Sequence, residues 1–433
     1  MKTHFLPAFC IALAAAGAYA AEADSLSVRE AHRNAVAGNV KVVTVGGGEA
    51  QQDSARQLIE IFYEDQYRQF HDPEAPYFMF MSKDADLALG IGGKVMLRGW
   101  FDWNGSQDSY EFFPYGISIP GNPSQRHGLG ASMSQTSVMM TLLGRRKSLH
   151  YMIYVQAGVK NRSFQLKKAY LKLNDFTVGL ANSTFEDPDA LAPTVDAQGS
   201  NGQISKTQIV GRWFRTMRNG ISLGAGVEFP SADMSPVAGE SEACRQYIPD
   251  IAALVQYSWG GGVSHVRLSG LLRTMTYRNL LQQKNHNVAG WGAQLSGTLN
   301  IIRPLTLYFS VMGGRGCGSY QGDLSEGAYD LVAAERGTGR MIAPWSVAAT
   351  AGVQYNFTDR IFACVALGEN RYFVKSPLDP AEYKYGLYGA VNLFWNITPR
   401  FLAGVEYIAG KRMDYDGRHA GANRIDAMVS YSF

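Results

Sequence analysis

From Leu89 to Phe433, apolar side chains recur at every second position in segment after segment, and this period limits the possible folds more than any other feature. The last stretch is the plainest case. Ile425, Ala427, Val429, Tyr431 and Phe433 fall on one face, while Arg424, Asp426, Ser430 and Ser432 fall on the other. Such a period belongs to a β-strand with one apolar side. In the first segment Ile91, Val95, Leu97, Phe101 and Trp103 lie opposite Lys94, Arg98 and Asp102. Equivalent segments follow at Met133 to Leu143, Leu149 to Lys160, Lys168 to Leu173 and Phe176 to Asn182, and continue through the second half. Together they predict about sixteen strands, each near the ~10 residues that a tilted membrane strand needs.

The connections also alternate. Tight turns are expected at Arg145-Arg146, Asn174-Asp175, Arg303-Pro304 and Thr398-Pro399, and long loops at Gly105 to Gly130, Ser183 to Lys206, Pro230 to Pro249, Arg315 to Ala343 and Asn370 to Glu382. Aromatic residues mark both ends of the outward faces: Trp103, Trp291, Trp345, Tyr383 and Tyr385 beside long loops, and Trp213, Tyr257, Trp395, Tyr431 and Phe433 beside turns. Two aromatic belts with lipid between them explain this distribution. A soluble sandwich would alternate, but without that exchange of loop lengths. Mean hydropathy is −0.14, as expected when the lipid face is hidden in every second residue. The predicted fold is therefore an all-β transmembrane antiparallel β-barrel, with Trp100 left in the inward register.

The front of the chain differs. Met1 to Ala20 has Lys2, an apolar run from Phe5 to Ala16 and Ala18-Tyr19-Ala20, the parts of a secretory signal peptide. Residues 21–86 are read as a periplasmic extension, with an amphipathic helix over Ser54 to Phe70 and a short strand at Lys41 to Val45. Residues 87–433 form the barrel. After cleavage Cys244, Cys317 and Cys364 remain, an odd set without metal-ligand spacing, so at most one disulfide can form, for instance between Cys244 and Cys317, and free or buried thiols are the alternative. The formal net charge of +3 names no partner by itself, and no nucleic-acid partner is expected.

A barrel of this size is too wide for its own side chains to fill. Ser183 to Lys206, with Phe185, Glu186, Asp187, Asp189 and Asp196, is the candidate constriction loop; an ordinary surface loop is the alternative. Opposite it the inward register holds Lys94, Arg98, Lys168, Lys172, Arg212, Arg267 and Arg273, a wall that would favour anions. These cations could instead pair with Glu228, Glu406 and Asp426. Glu186, Asp187 and Asp189 suggest calcium or simply a solvated acidic loop. The run Gly313 to Gly318 lacks the ending of a phosphate cradle, the histidines form no HExxH, and neither enzyme activity nor a cofactor is expected.

Ser134-Gln135-Thr136-Ser137, Ile119-Pro120-Gly121-Asn122-Pro123, Ala169-Tyr170-Leu171, Thr184-Phe185, Pro193-Thr194-Val195-Asp196 and Asn201-Gly202 resemble the DcaP-like outer-membrane porins. That family often carries an arginine directly after the Ser-Gln-Ser run, where this chain has Val138. The resemblance implies a homotrimer of sixteen-stranded barrels in the outer membrane of a Gram-negative bacterium, passing small hydrophilic, dicarboxylate-like solutes by diffusion. Outer-membrane lipid and the barrel-insertion machinery are then the expected partners, the latter reading Tyr431 and Phe433. The competing expectation is an adhesion or structural barrel with ligand-binding loops and a blocked lumen.

Overall fold

The computed structural model describes residues 41–45, 78–82 and 86–433, apart from 108, 147, 161–162 and 376. The expected signal peptide, Met1 to Ala20, and the expected helix, Ser54 to Phe70, lie outside the described residues.

The alternating segments form sixteen barrel strands. They are β1 Leu87–Trp103, β2 in two pieces His127–Ser132 and Ser137–Arg146, β3 Leu149–Lys160, β4 Ser163–Leu173 and β5 Phe176–Asn182. Next come β6 Thr207–Thr216, β7 Ile221–Glu228, β8 Asp250–Trp259, β9 Ser264–Asn279, β10 Lys284–Ile302 and β11 Leu305–Arg315. Then follow β12 Trp345–Asn356, β13 Ile361–Phe373, β14 Tyr383–Thr398, β15 Phe401–Asp414 and β16 His419–Ser432. Each pairs antiparallel with its neighbours in sequence, and β16 returns to β1, from Asn423 opposite Trp103 to Ser432 opposite Lys94. Phe433 completes the seam by exchanging two backbone hydrogen bonds of 2.9 Å with Gly93. No strand edge is left open on the closed ring, which is what lipid surroundings demand.

The strands are staggered. Direct partners lead from Leu89, near the start of β1, through Leu142, Ile153, Leu171, Val178, Gly211, Val227, Ile251, Leu272, Trp291, Arg315 and Trp345 to Phe373, the end of β13. The path thus climbs from the turn rim to the loop rim, the signature of strands tilted against the barrel axis. Outward positions such as Leu97, Val178, Leu268, Val365 and Val405 are exposed, and inward ones such as Arg98, Thr177, Arg267, Cys364 and Glu406 are buried. Lys41–Val45 is a strand, as expected; it runs parallel to Phe78–Ser82, which continues the sheet beside β1 below Phe433.

Three expectations change, while Trp100 keeps its inward register. Tyr383 belongs to no aromatic belt: a register shift between Tyr383 and Tyr385 turns it inward, where its hydroxyl donates to Asp323 at 2.8 Å. Loop lengths do not exchange strictly, because β3–β4, β9–β10 and β15–β16 are joined by short turns at the loop rim. Strand two reaches up to His127, across an irregular stretch in which Thr136 Oγ1 accepts from Met96 N at 3.1 Å and substitutes for the missing ladder bond. Trp100 is inward and buried; its ring occupies the space above Gly130, between the guanidinium groups of Arg424 and Arg98 at 5.3 and 5.8 Å. All three described cysteines are free.

Candidate functional site

The lumen is occupied by loops, and the inward charges of the wall explain how they are held. Loop 183–206 begins at the end of β5. Glu228 on β7 accepts from Ser183 Oγ at 2.8 Å and from Thr184 N at 2.6 Å. Further along, Glu406 on β15 accepts from Val195 N at 3.0 Å and Asp196 N at 2.8 Å. In a ring of sixteen these two strands stand eight apart, on opposite walls. Carboxylates suit this task because each can receive several backbone N–H groups that water cannot reach.

Arginines take the complementary part. Arg98 Nη1 donates to Val195 O at 3.1 Å and lies 3.4 Å from Asp196, and Arg267 Nη1 donates to Glu186 O at 2.7 Å. Arg273 meets Asp250 and Asp330, both at 2.9 Å, and donates to Gly316 O at 2.6 Å. Arg424 binds Asp102 through two nitrogens at 2.6 and 3.0 Å and donates to Ser109 O at 3.0 Å, which fixes the loop after β1. A planar guanidinium can serve a carboxylate and a loop carbonyl together, which a single ammonium does poorly.

Apolar contacts finish the anchoring. Phe185 packs with Leu271, Met312 and Tyr320, and Val195 with Met96, Phe394 and Met428. Phe112 and Ile117, from the loop after β1, pack on Tyr388, Ala390 and Ile408. Loop 183–206, the loop after β1 and loop 316–344 after β11 meet one another at two carboxylates. Asp196 accepts from Phe112 N at 3.1 Å. Asp323 accepts from Tyr115 N at 3.2 Å and from Asn201 Nδ2 and Tyr383 Oη, both at 2.8 Å; burial pushes its acid up to about 6 despite these bonds. Asp187 shows the opposite balance. Burial works to raise it, but Arg267 and the hydrogen bonds from His265 and Ser296 outweigh that and hold the carboxyl well below its usual range.

A family model described as a porin subfamily matches residues 131–423, well over half of the chain. The chain is a porin. It belongs to the outer membrane of a Gram-negative bacterium, and its fold is DcaP-like: the outer-membrane channel DcaP of Acinetobacter baumannii superposes with a TM-score of 0.68 at 18% identity, over 82% of this chain and 99% of that one. An anion-selective porin from Comamonas acidovorans has a TM-score of 0.51 at 9% identity, over 80% of this chain and 100% of that one. OmpT of Vibrio cholerae, in a trimer form, has a TM-score of 0.50 at 9% identity, over 80% and 99%. At these identities the likeness is one of fold. No curated protein matches the chain.

Within the porin, the residues singled out from sequence differ in burial. Lys94, Arg98, Arg212, Arg267 and Arg273 are buried, and Arg212 Nη1 donates to Asn182 O at 3.5 Å. Lys168 and Lys172 are half-buried. In the loop, Phe185, Glu186, Asp187 and Asp196 are buried and Asp189 is exposed. Glu186 accepts from Asn182 Nδ2 and Lys206 N, at 3.1 and 3.0 Å, whereas Asp187 turns to His265. Among the described residues no group is arranged to hold a metal ion.

A cavity of about 530 Å³ remains beside loop 183–206, between the β3–β4 wall and Tyr308 and Thr350 of β11 and β12; Glu111, Gln156, Lys160, Lys167 and Lys168 also line it. Here the period of two breaks. Gln156 pairs with Lys168 but Ala157 with Leu166, so Lys167 has no ladder partner. Its chain crosses Gly158, where a Cβ would lie 2.5 Å from Lys167 Cε, and two consecutive lysines face the same cavity. Strict alternation sends Lys167 to the lipid; the adjacent pair Lys167-Lys168, which places one charge on each face, was the available signal. Arg424, His265 and Asp323 were missed as well, because their roles depend on partners far away in sequence.

Proposed function

We propose that this porin passes small hydrophilic anions, including solutes with one or two carboxylates, through a channel that loop 183–206 narrows against the β3–β4 wall. The observation that carries the reading is the set Lys160, Lys167 and Lys168 around the cavity beside that loop. Fixed ammonium groups in a narrow aqueous path attract anions because low-dielectric walls weaken screening. The buried arginines act on this current indirectly, by positioning the loop. A leader over residues 1–20, a periplasmic extension over 21–86 and a homotrimer complete the proposal, and the OmpT trimer form supports the last.

Planar-bilayer recordings under a potassium chloride gradient test it. The reversal potential should indicate chloride preference, which Lys167→Gln together with Lys168→Gln should reduce several-fold; an unchanged potential would refute the lysine wall. Openings in groups of three support the trimer. The three lumenal loops favour a second reading, an adhesion barrel with a blocked lumen, and silence in the bilayer would select it.

A further inference from the structure

We propose that the outer face of β11 to β15 binds the phosphorylated headgroup of an outer-leaflet glycolipid through Arg315, Arg371 and Lys411. The inference rests on placement in the outer membrane and not on what the pore carries.

These three side chains sit on outward positions of alternate strands: Arg315 ends β11, Arg371 is near the end of β13, and Lys411 is near the end of β15. They also share one height. Direct partners lead from Arg315 through Trp345 to Phe373, and from Arg371 through Tyr385 to Met413. Arg371 lies two positions below Phe373, and Lys411 two below Met413. The partner path climbs with strand number, and at a tilt of ~40° a level line drops about one residue per strand. Two strands therefore require the two-residue step that is found. The cations form a level row, roughly 12 Å apart.

The row lies in the aromatic belt next to the loops. Arg315 stands 5.7 Å from the Trp345 ring centroid and Arg371 4.9 Å from that of Tyr385. Among the described residues, Arg315 and Lys411 have no carboxylate within pairing distance; Arg315 spends Nε on Ala343 O at 3.2 Å and keeps the rest of its fork. The one acid on the strip, Glu369, pairs with Arg371 at 2.7 Å. The strip is thus net positive where lipid must cover it, while the loop-side outward positions of β3 to β8 carry no charge at all. Charges are tolerated at this depth, yet they need anions from the surroundings. The membrane supplies these at that height as the phosphates of its outer-leaflet glycolipid, which a guanidinium fork can hold through two nitrogens.

The test uses the full-length porin in phosphatidylethanolamine nanodiscs, with bound lipid counted by native mass spectrometry. The probes are a bisphosphorylated glycolipid, the same lipid after phosphatase treatment, and phosphatidylglycerol. The wild type should retain the first at least about tenfold better than either of the others. Arg315→Gln with Lys411→Gln leaves the Arg371–Glu369 pair intact and should lose that preference; Arg315→Lys with Lys411→Arg should keep it. Equal retention of the phosphatase-treated lipid, equal competition by phosphatidylglycerol, or an unaffected glutamine variant would each overturn the site. Conductance reads the lumen and should be the same in every variant, so failure here is separable from failure of the pore reading.

Discussion

Glu406 illustrates how much one inward carboxylate can control. It receives two backbone N–H groups from the middle of loop 183–206 and the amide of Asn392 at 2.9 Å, all shielded from water. Removing the acceptor leaves these donors unmatched, at about 1–3 kcal/mol for each buried group. Glu406→Ala should therefore release the loop from its far wall while the ladder around it stays paired. Single-channel traces are expected to show noisier and larger openings, with Glu406→Gln, which keeps one acceptor oxygen, intermediate. A quiet trace of wild-type amplitude from the alanine variant would mean that Arg98 and the packing of Val195 suffice. At this scale the sequence was half legible. The inward register of Arg98, Arg267 and Glu406 follows from a period of two, but the partners do not, because Arg98 and Val195 are brought together only by closure of the barrel.

Strands were easier to read than side-chain roles, since each repeats its signal over many positions. β3 and β5 have the bounds that alternation predicts, and β2 extends further because its ends pass into polar residues. A bulge is another matter: one extra residue inverts every position beyond it; nothing local announces it at Tyr383, and at Lys167 the adjacent Lys168 is the one local sign. The seam between β16 and β1 is where an element can be tested. Gly93 lies between Ser137 and Phe433, and a Cβ there would approach Ser137 O to 2.5 Å and the Phe433 ring to 2.8 Å. Backbone on one side cannot yield as a flexible side chain could. Gly93→Val should cost about 1–3 kcal/mol through overpacking at the closing pair. The fraction of heat-modifiable, folded barrel on gels should fall, and more sharply if Phe433 is also deleted. Full assembly of the valine variant would show that the seam tolerates a shifted register.

For the molecule as a whole, the question is what fills a ring of sixteen strands, and loop 316–344 supplies much of the answer. Tyr320 and Leu324 in it are fully buried, and Leu331–Ala333 forms a small sheet with Met234–Ser235 and Met341–Ile342 instead of joining the barrel. The ladder from β1 to β16 takes no pair from this loop. Replacing residues 318–342 by a short Gly-Ser turn should therefore leave a closed barrel. Arg273 would lose Asp330, its partner at 2.9 Å, but keep Asp250 at 2.9 Å, so the buried cation stays paired one to one and Arg273 is left unchanged in the deletion. If the loop blocks the lumen beside β8 to β12, conductance should rise by about twofold or more, because side chains alone cannot fill so wide a ring. Anion preference should fall as the current moves away from Lys167 and Lys168. Unchanged conductance in a correctly folded deletion would mean that ions never approach that side, and the path along β3 and β4 would then carry all of the flow.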